Sequence, residues 1–343
     1  MNPIIYILFT YICLSVLIVF LSIKLSDYID LLDKKTNLSG AFLGGVLLAI
    51  ITSLPELFTS FSSVIFLNES RMVIGNILGS NSFDILILGF CIIAFYKNYK
   101  NDKINFKTHF IVCLGLIAMY LCLMVPLYLK NAQLVIGTIN ICFILIAIIY
   151  GIVLWRMPKN DEEVVAIETP SQTKNAESEV ASSKNEDSIK KIVAKFIICS
   201  LLLVGVSILI TYATSDIAEY FSLETSTAGV LFLAIATSLP EVVSTIALCS
   251  KGNFDASFGN ILGSCLFNTF ILTLTEFIYF KESILVPCDF ASIKLVILNF
   301  VSVFATITIL LIKRSKKQIK CKRVFDYILS AILVLSYAVY YLI

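Results

Sequence analysis

Ten apolar stretches, most of them near or above the roughly 20 residues that carry a helix across a bilayer, take up most of this 343-residue chain. They fall at about 3–25, 39–67, 70–96, 108–129, 133–155, 192–214, 223–250, 254–280, 291–312 and 324–343. The chain is 58% hydrophobic with a mean hydropathy of +0.93, more apolar surface than a soluble core of this length requires. Inside a bilayer each helix satisfies its own backbone, whereas a β-barrel would show short alternating runs. The expectation is an all-α polytopic membrane protein with ten transmembrane helices, multi-pass in the cell membrane. The lipid bilayer is its expected surroundings, with no nucleic-acid partner.

The positive charges support that count. Of the 26 Lys and Arg, 22 fall in or beside the loops joining spans 1–2, 3–4, 5–6, 7–8 and 9–10. Only Arg71, Lys130, Lys281 and Lys294 lie on the opposite face. The positive-inside rule places the rich face in the cytoplasm and both termini outside it. The N-terminus lacks a basic leader and a small-residue cleavage site, so it reads as an uncleaved first span. The basic cluster from Lys313 to Arg323 reads as a topology determinant, with anionic-lipid binding the sharper alternative. The ten cysteines lie mostly within apolar runs, without CxxC, and read as small hydrophobes. One histidine, His109, gives no metal cluster.

One unit is used twice. "LAIITSLPELFTS" at 48–60 aligns with "LAIATSLPEVVST" at 233–245, and "GNILGSNSFDILIL" at 75–88 with "GNILGSCLFNTFIL" at 259–272. The offsets are 185 and 184, so the first copy holds one extra residue, expected in the turn near Asn68 to Arg71. The first unit spans 1–155 with its motif at 48–88, and the second 192–343 with its motif at 233–272. Five spans per unit turn the second copy upside down, giving two inverted five-helix repeats, an architecture of many secondary transporters. The polar segment 156–191 between them is expected to be a disordered cytoplasmic linker.

The repeated motif carries the chemistry. Pro55 and Pro240 lack an N–H, which frees the carbonyls of Ile51 and Ala236 four residues back. Interrupted helices at matching places in two repeats point to a substrate site. Glu56 and Glu241 put acid deep in apolar spans, where no basic residue lies at comparable depth, which leaves a cation or a proton as partner. Thr52, Ser53, Thr237 and Ser238 add hydroxyls from the same segments. Asp84 and Asn268 are matched third members, with Ser80 and Ser264 one turn earlier on the same helix faces. Carboxylates, an amide and hydroxyls make an all-oxygen set suited to hard cations such as Ca²⁺. The glycine pairs Gly75/Gly79 and Gly259/Gly263 are assigned to helix packing, and Asp255 to capping the eighth span.

At these residues the chain resembles the cation/Ca²⁺ exchanger superfamily, and within it the prokaryotic sodium/calcium exchangers. The motifs that carry the resemblance are "TSLPE" with "GSNSFD" and "TSLPE" with "GSCLFN". The resemblance implies that Glu56 and Glu241 coordinate Ca²⁺, flanked by Asp84 and Asn268. It implies that Thr52, Ser53, Ser80, Thr237, Ser238 and Ser264 line Na⁺ sites, and that the carbonyls of Ala49 and Ala234 are backbone ligands. Two departures stand out: the acid comes first (Asp84) and the amide second (Asn268), the reverse of the family's prokaryotic order, and Cys265 stands where the family has Asn. The implied activity is an antiporter that exports Ca²⁺ against Na⁺ entry by alternating access, with spans one and six sliding as gates. The ions are cargo, and neither a cofactor nor an enzyme activity is expected. Ca²⁺/H⁺ exchange on the same fold is the alternative. An intramembrane aspartyl protease is distant because its GxGD motif is missing, and a channel would show no counter-flow.

Overall fold

The computed structural model describes residues 3–36, 50, 52–128, 135–136, 139–157, 189–285, 290–315 and 322–342. The chain runs through α1 (Pro3–Thr36), α2 (Leu54–Leu67), α3 (Ser70–Ala94), a short α4 (Tyr96–Asn101), α5 (Phe106–Tyr128) and α6 (Ile141–Arg156). The second half follows as α7 (Ile189–Tyr220), α8 (Thr225–Thr237), α9 (Leu239–Ser250), α10 (Phe254–Ile278), α11 (Phe290–Arg314) and α12 (Lys322–Leu342). Among the described residues, six helices are long and apolar enough to cross a membrane, or seven with α8 and α9 taken as one bent span. Each of the ten apolar stretches carries a helix or a helix pair. The residues before 50 in the second stretch, and the linker from 158 to 188, lie outside the described residues.

The surface is that of a membrane protein. Ile5, Phe9, Val16, Ile198, Leu201 and Leu209 are exposed, while Ser, Thr and Asn side chains crowd the interior. The bundle has a centre and two flanks. At the centre the motif helices α3 and α10 cross and pack on each other. The last helix of each half packs on the motif helix of the other, α12 on α3 and α6 on α10, as an inverted pair requires. α5 and α11 pack together beside them. On the other flank α1 and α7 lie against each other, with their own apolar cluster around Leu14, Ile18, Leu21, Leu203, Val206 and Ile210.

The halves approach closely through α3 and α8. A Cβ on Gly75 would lie 2.2 Å from the Ser226 carbonyl oxygen, and one on Gly79 3.0 Å from Val230 Cα. Gly229 answers from the other side, where a Cβ would meet the Met72 carbonyl at 2.6 Å. The packing role expected of Gly75 and Gly79 therefore has a specific partner, the helix that leads into the second "TSLPE".

Three expectations are corrected: where the fifth helix starts, where the extra residue falls and what Asp255 does. α1 and α7 keep their expected apolar spans, Ile4–Leu25 in the first, and run on to 34 and 32 residues. A helix satisfies its own backbone and continues beyond the point where hydropathy falls. Among the described residues the fifth span becomes helical only at Ile141. Before it, Val135–Ile136 pairs antiparallel with Ile139–Asn140, and the Asn140 side chain caps α6 by accepting from Cys142 N at 3.1 Å. The extra residue of the first copy falls within a π turn, Ser63–Leu67, just before the expected turn. A wider i→i+5 turn absorbs one residue without moving what flanks it.

Asp255, finally, does not cap its own helix. Asn253 does so, accepting from Ala256 N at 3.1 Å, and Asp102 of the first half accepts from Phe254 N at 2.6 Å. Asp255 instead accepts from Asn105 N at 2.6 Å and stands 2.8 Å from His109 Nε2. The two aspartates tie the α4–α5 connection of one half to the α10 N-terminus of the other.

Candidate ion-binding site

Both copies of "TSLPE" fold alike. At Ser53 and Ser238 the backbone leaves helical geometry, with φ/ψ of −91°/12° and −83°/0°, and a new helix begins with proline in its first turn. Proline suits that place, since its φ is already helical and its missing N–H would have no intrahelical partner there. Pro55 and Pro240 thus open half-helices, and in the second copy α8 and α9 meet at a bend of 51°. Ala236 precedes Pro240 by four, so its carbonyl lacks the usual helical donor. Ile51 and Ala49 lie outside the described residues.

This local fold puts Glu56 and Glu241 in the first turns of α2 and α9. There the free N–H groups and the helix dipole favour negative charge. Both side chains are fully buried, as are those of Asp84, Asn268, Ser53, Ser80, Thr237, Ser238 and Ser264, and Thr52 is 4% exposed.

The two copies are joined crosswise. Ser238 Oγ donates to Glu56 Oε1 at 3.3 Å, and Ser53 Oγ donates to Glu241 Oε1 at 3.4 Å. Each hydroxyl reaches the carboxylate of the opposite half. Ser264 Oγ donates to the same Glu241 oxygen at 3.4 Å and stands 2.8 Å from Ser53 Oγ. Its counterpart Ser80 donates instead to the Ala234 carbonyl at 3.4 Å, a carbonyl that Thr237 Oγ1 shares at 3.3 Å. Asp84 and Glu56 are electrostatic neighbours, and Glu241 feels both. Among the described residues no three His, Cys, Asp or Glu side chains form a ready-made metal cluster. The junction is a mixture of carboxylate, hydroxyl, carbonyl and amide oxygen.

Several of its polar atoms are buried without a hydrogen bond: Glu56 Oε2, Glu241 Oε2, both carboxylate oxygens of Asp84 and both amide atoms of Asn268. These four side chains are the acids and the amide that the repeat singled out. A buried polar group without a partner is costly, and a charged one more so. Hard cations match oxygens of this kind.

Sequence reasoning missed the residues that hold the half-helices in place. Asn76 Nδ2 donates to Thr59 Oγ1 at 3.0 Å and to Ser60 Oγ at 3.4 Å. Asn260 Nδ2 donates to Ser244 Oγ at 2.9 Å and Thr245 Oγ1 at 3.0 Å. Each amide clamps the half-helix of its own copy, one turn past the glutamate. The signal was present, since both asparagines open the repeated "NILGS". Asn81 was likewise passed over. Its amide donates to Tyr120 Oη at 3.0 Å, Thr269 Oγ1 at 3.1 Å and the Cys265 carbonyl at 3.2 Å, knitting α3, α5 and α10.

Inverted halves, broken helices and buried acids at their junction define a membrane transporter of cations, not an enzyme. The sodium/calcium exchanger protein family matches residues 6–157 and 191–343, and the chain belongs to that family. The inner membrane protein YrbG of Escherichia coli (strain K12) is 25% identical over 259 residues, 75% of this chain and 74% of YrbG. Two solved exchangers share the fold. The H⁺/Ca²⁺ exchanger CAX matches with a TM-score of 0.61 and 12% identity, over 98% of this chain and 87% of its own. The sodium–calcium exchanger NCX_Mj matches with a TM-score of 0.57 and 18% identity, over 96% of this chain and 95% of its own.

Proposed function

We propose that this protein is an antiporter that exports Ca²⁺ in exchange for Na⁺, with Glu56 and Glu241 bridging the ion between inverted half-helices. The carrying observation is the set of buried, unpartnered oxygens on Glu56, Glu241 and Asp84 at the crossing of the two repeats. Asn268 supplies an amide oxygen, and Thr52, Ser53, Ser80, Thr237, Ser238 and Ser264 supply hydroxyls beside it. The carbonyls of Ala49 and Ala234 complete the proposed ligand set. Na⁺ competes by occupying overlapping oxygens. Three carboxylates could hold one Ca²⁺ or about three Na⁺, so two positive charges leave for about three that enter, and each unbalanced charge is worth about 2.3 kcal/mol per 100 mV. α1 and α7 pack on each other on one flank and share an apolar cluster with Met72, Leu233 and Ala236 of the motif helices, which supports their role as gates sliding over the site. In this reading both termini lie outside the cytoplasm.

A second reading, Ca²⁺/H⁺ exchange, draws support from the same acids, which have no basic side chain at hydrogen-bonding distance among the described residues. The two readings separate in proteoliposomes. Outward Na⁺ gradients at equal pH, with a protonophore present, are expected to drive ⁴⁵Ca²⁺ uptake. A pH gradient without Na⁺ is expected to drive none, and uptake under that condition alone would replace Na⁺ by H⁺.

The asparagine clamps give a further expectation. Asn260→Ala frees the first turns of α9 and leaves every proposed ligand in place, so the half-saturating Ca²⁺ concentration should rise roughly tenfold, as for other residues that orient ligands. Uptake titrated against Ca²⁺ checks this, and an unchanged value would remove the clamp from the mechanism.

A further inference from the structure

A cavity of about 650 Å³ opens where α3, α4, α11 and α12 end, at the basic end of the bundle. Its wall carries four cations, Lys97, Lys100, Lys313 and Arg323, against one carboxylate, Asp326. Charges that merely set topology need only face water. Here Lys313 and Arg323 are held in place by neighbouring groups, and Lys97 and Lys100 are exposed side chains on the wall of the same space. Lys313 Nζ donates to the Tyr99 carbonyl and, at 3.0 Å, to the Lys100 carbonyl. It also lies 4.4 Å from the Tyr99 ring centroid. Arg323 sits over Tyr96 and Tyr327, 5.4 Å and 5.5 Å from their centroids, and those two rings stack at 5.0 Å. Asp326 is engaged by Tyr96, whose hydroxyl donates to Oδ2 at 3.3 Å. The Tyr99 hydroxyl is a buried donor with no hydrogen-bond partner in the same wall.

We propose that this cavity seats a phosphate group, held by Lys97, Lys100 and Arg323 and by the Tyr99 hydroxyl, with the headgroup of an anionic phospholipid as its source. Basic pockets between helices at a membrane surface recognise such headgroups, and ammonium and guanidinium groups give charge-assisted bonds to phosphate oxygens. Position favours the lipid, because Ile93 and Ala94 at the end of the spanning helix α3 form part of the same wall. The seat is made by both halves, α3 and α4 from the first and α11 and α12 from the second. On its far side α4 is bonded to the end of the half-helix that bears Glu241, through Asn98 Nδ2 to the Ser250 carbonyl at 3.1 Å.

The test is native mass spectrometry of the full chain released from detergent with phosphatidylglycerol or phosphatidylcholine of matched acyl chains. A third arm offers inorganic phosphate without lipid. Preferential retention of phosphatidylglycerol is expected, and Lys97→Gln with Arg323→Gln should weaken it roughly 30-fold. Tyr99→Phe, which keeps the ring, should weaken it less, and Lys294→Gln on the opposite face should leave it unchanged. If inorganic phosphate is retained instead, and lost in the double variant, the seat stands with a soluble source. Equal retention of the two lipids with no phosphate bound, or a preference that survives in a monodisperse double variant, would overturn it.

Discussion

Glu56→Gln and Glu241→Gln are each expected to bring Ca²⁺ exchange to background, a loss of at least about 100-fold, while making the ion-free protein harder to unfold. Gln has the shape of Glu and keeps an oxygen for Ser238 or Ser53, so the crosswise hydrogen bonds survive. What disappears is an ionisable group in a buried place with one oxygen unpartnered. On insertion scales an acid at the bilayer centre costs about 2.5–3.5 kcal/mol, so each variant should melt a few degrees higher without Ca²⁺. In the wild type, Ca²⁺ at 100 times its dissociation constant should add about 2.7 kcal/mol, and in the variants almost nothing. Thermal unfolding with and without Ca²⁺, alongside ⁴⁵Ca²⁺ uptake, reads both effects. Uptake that persists in both variants would sink the site.

Gly75→Ala is the largest expected effect on the fold itself. The new Cβ would sit 2.2 Å from the Ser226 carbonyl oxygen, and the obstacle is backbone, which no side-chain rotation relieves. α3 must move off α8, and the two halves meet there. Overpacking of this kind costs about 3 kcal/mol, against a helix-propensity gain for Ala of about 1 kcal/mol. Lower melting temperature and lost exchange should appear together. Gly151→Ala is the matched control, because nothing lies within 4 Å of its added Cβ and only the propensity gain remains. Equal stability of the two variants would show that α3 and α8 are not closely apposed in solution.

Much of this molecule was legible in one dimension. Hydropathy located ten helical segments because each must satisfy its backbone within itself, a requirement local to the segment. Duplication exposed the inverted repeats and singled out Glu56 and Glu241, a charge repeated at matched depth, and the matched acid and amide Asp84 and Asn268, because polar groups repeated in two apolar spans have no packing explanation. The π turn at Ser63–Leu67 was half legible, as a one-residue difference in offset without its form.

What tertiary structure decided depends on residues far apart in the chain. Ser53 and Glu241 are 188 positions apart, and nothing in either neighbourhood says that the hydroxyl of one copy serves the acid of the other. Asp255 looked like a cap because capping is a local rule, yet Asn253 and Asp102 took that role and left it to Asn105 and His109. Lys97 and Arg323 looked like separate topology signals until folding set them around one cavity. The sequence alone determined which groups must leave water. The fold decided which partners meet them there, since only three-dimensional proximity selects among distant residues of equal chemistry.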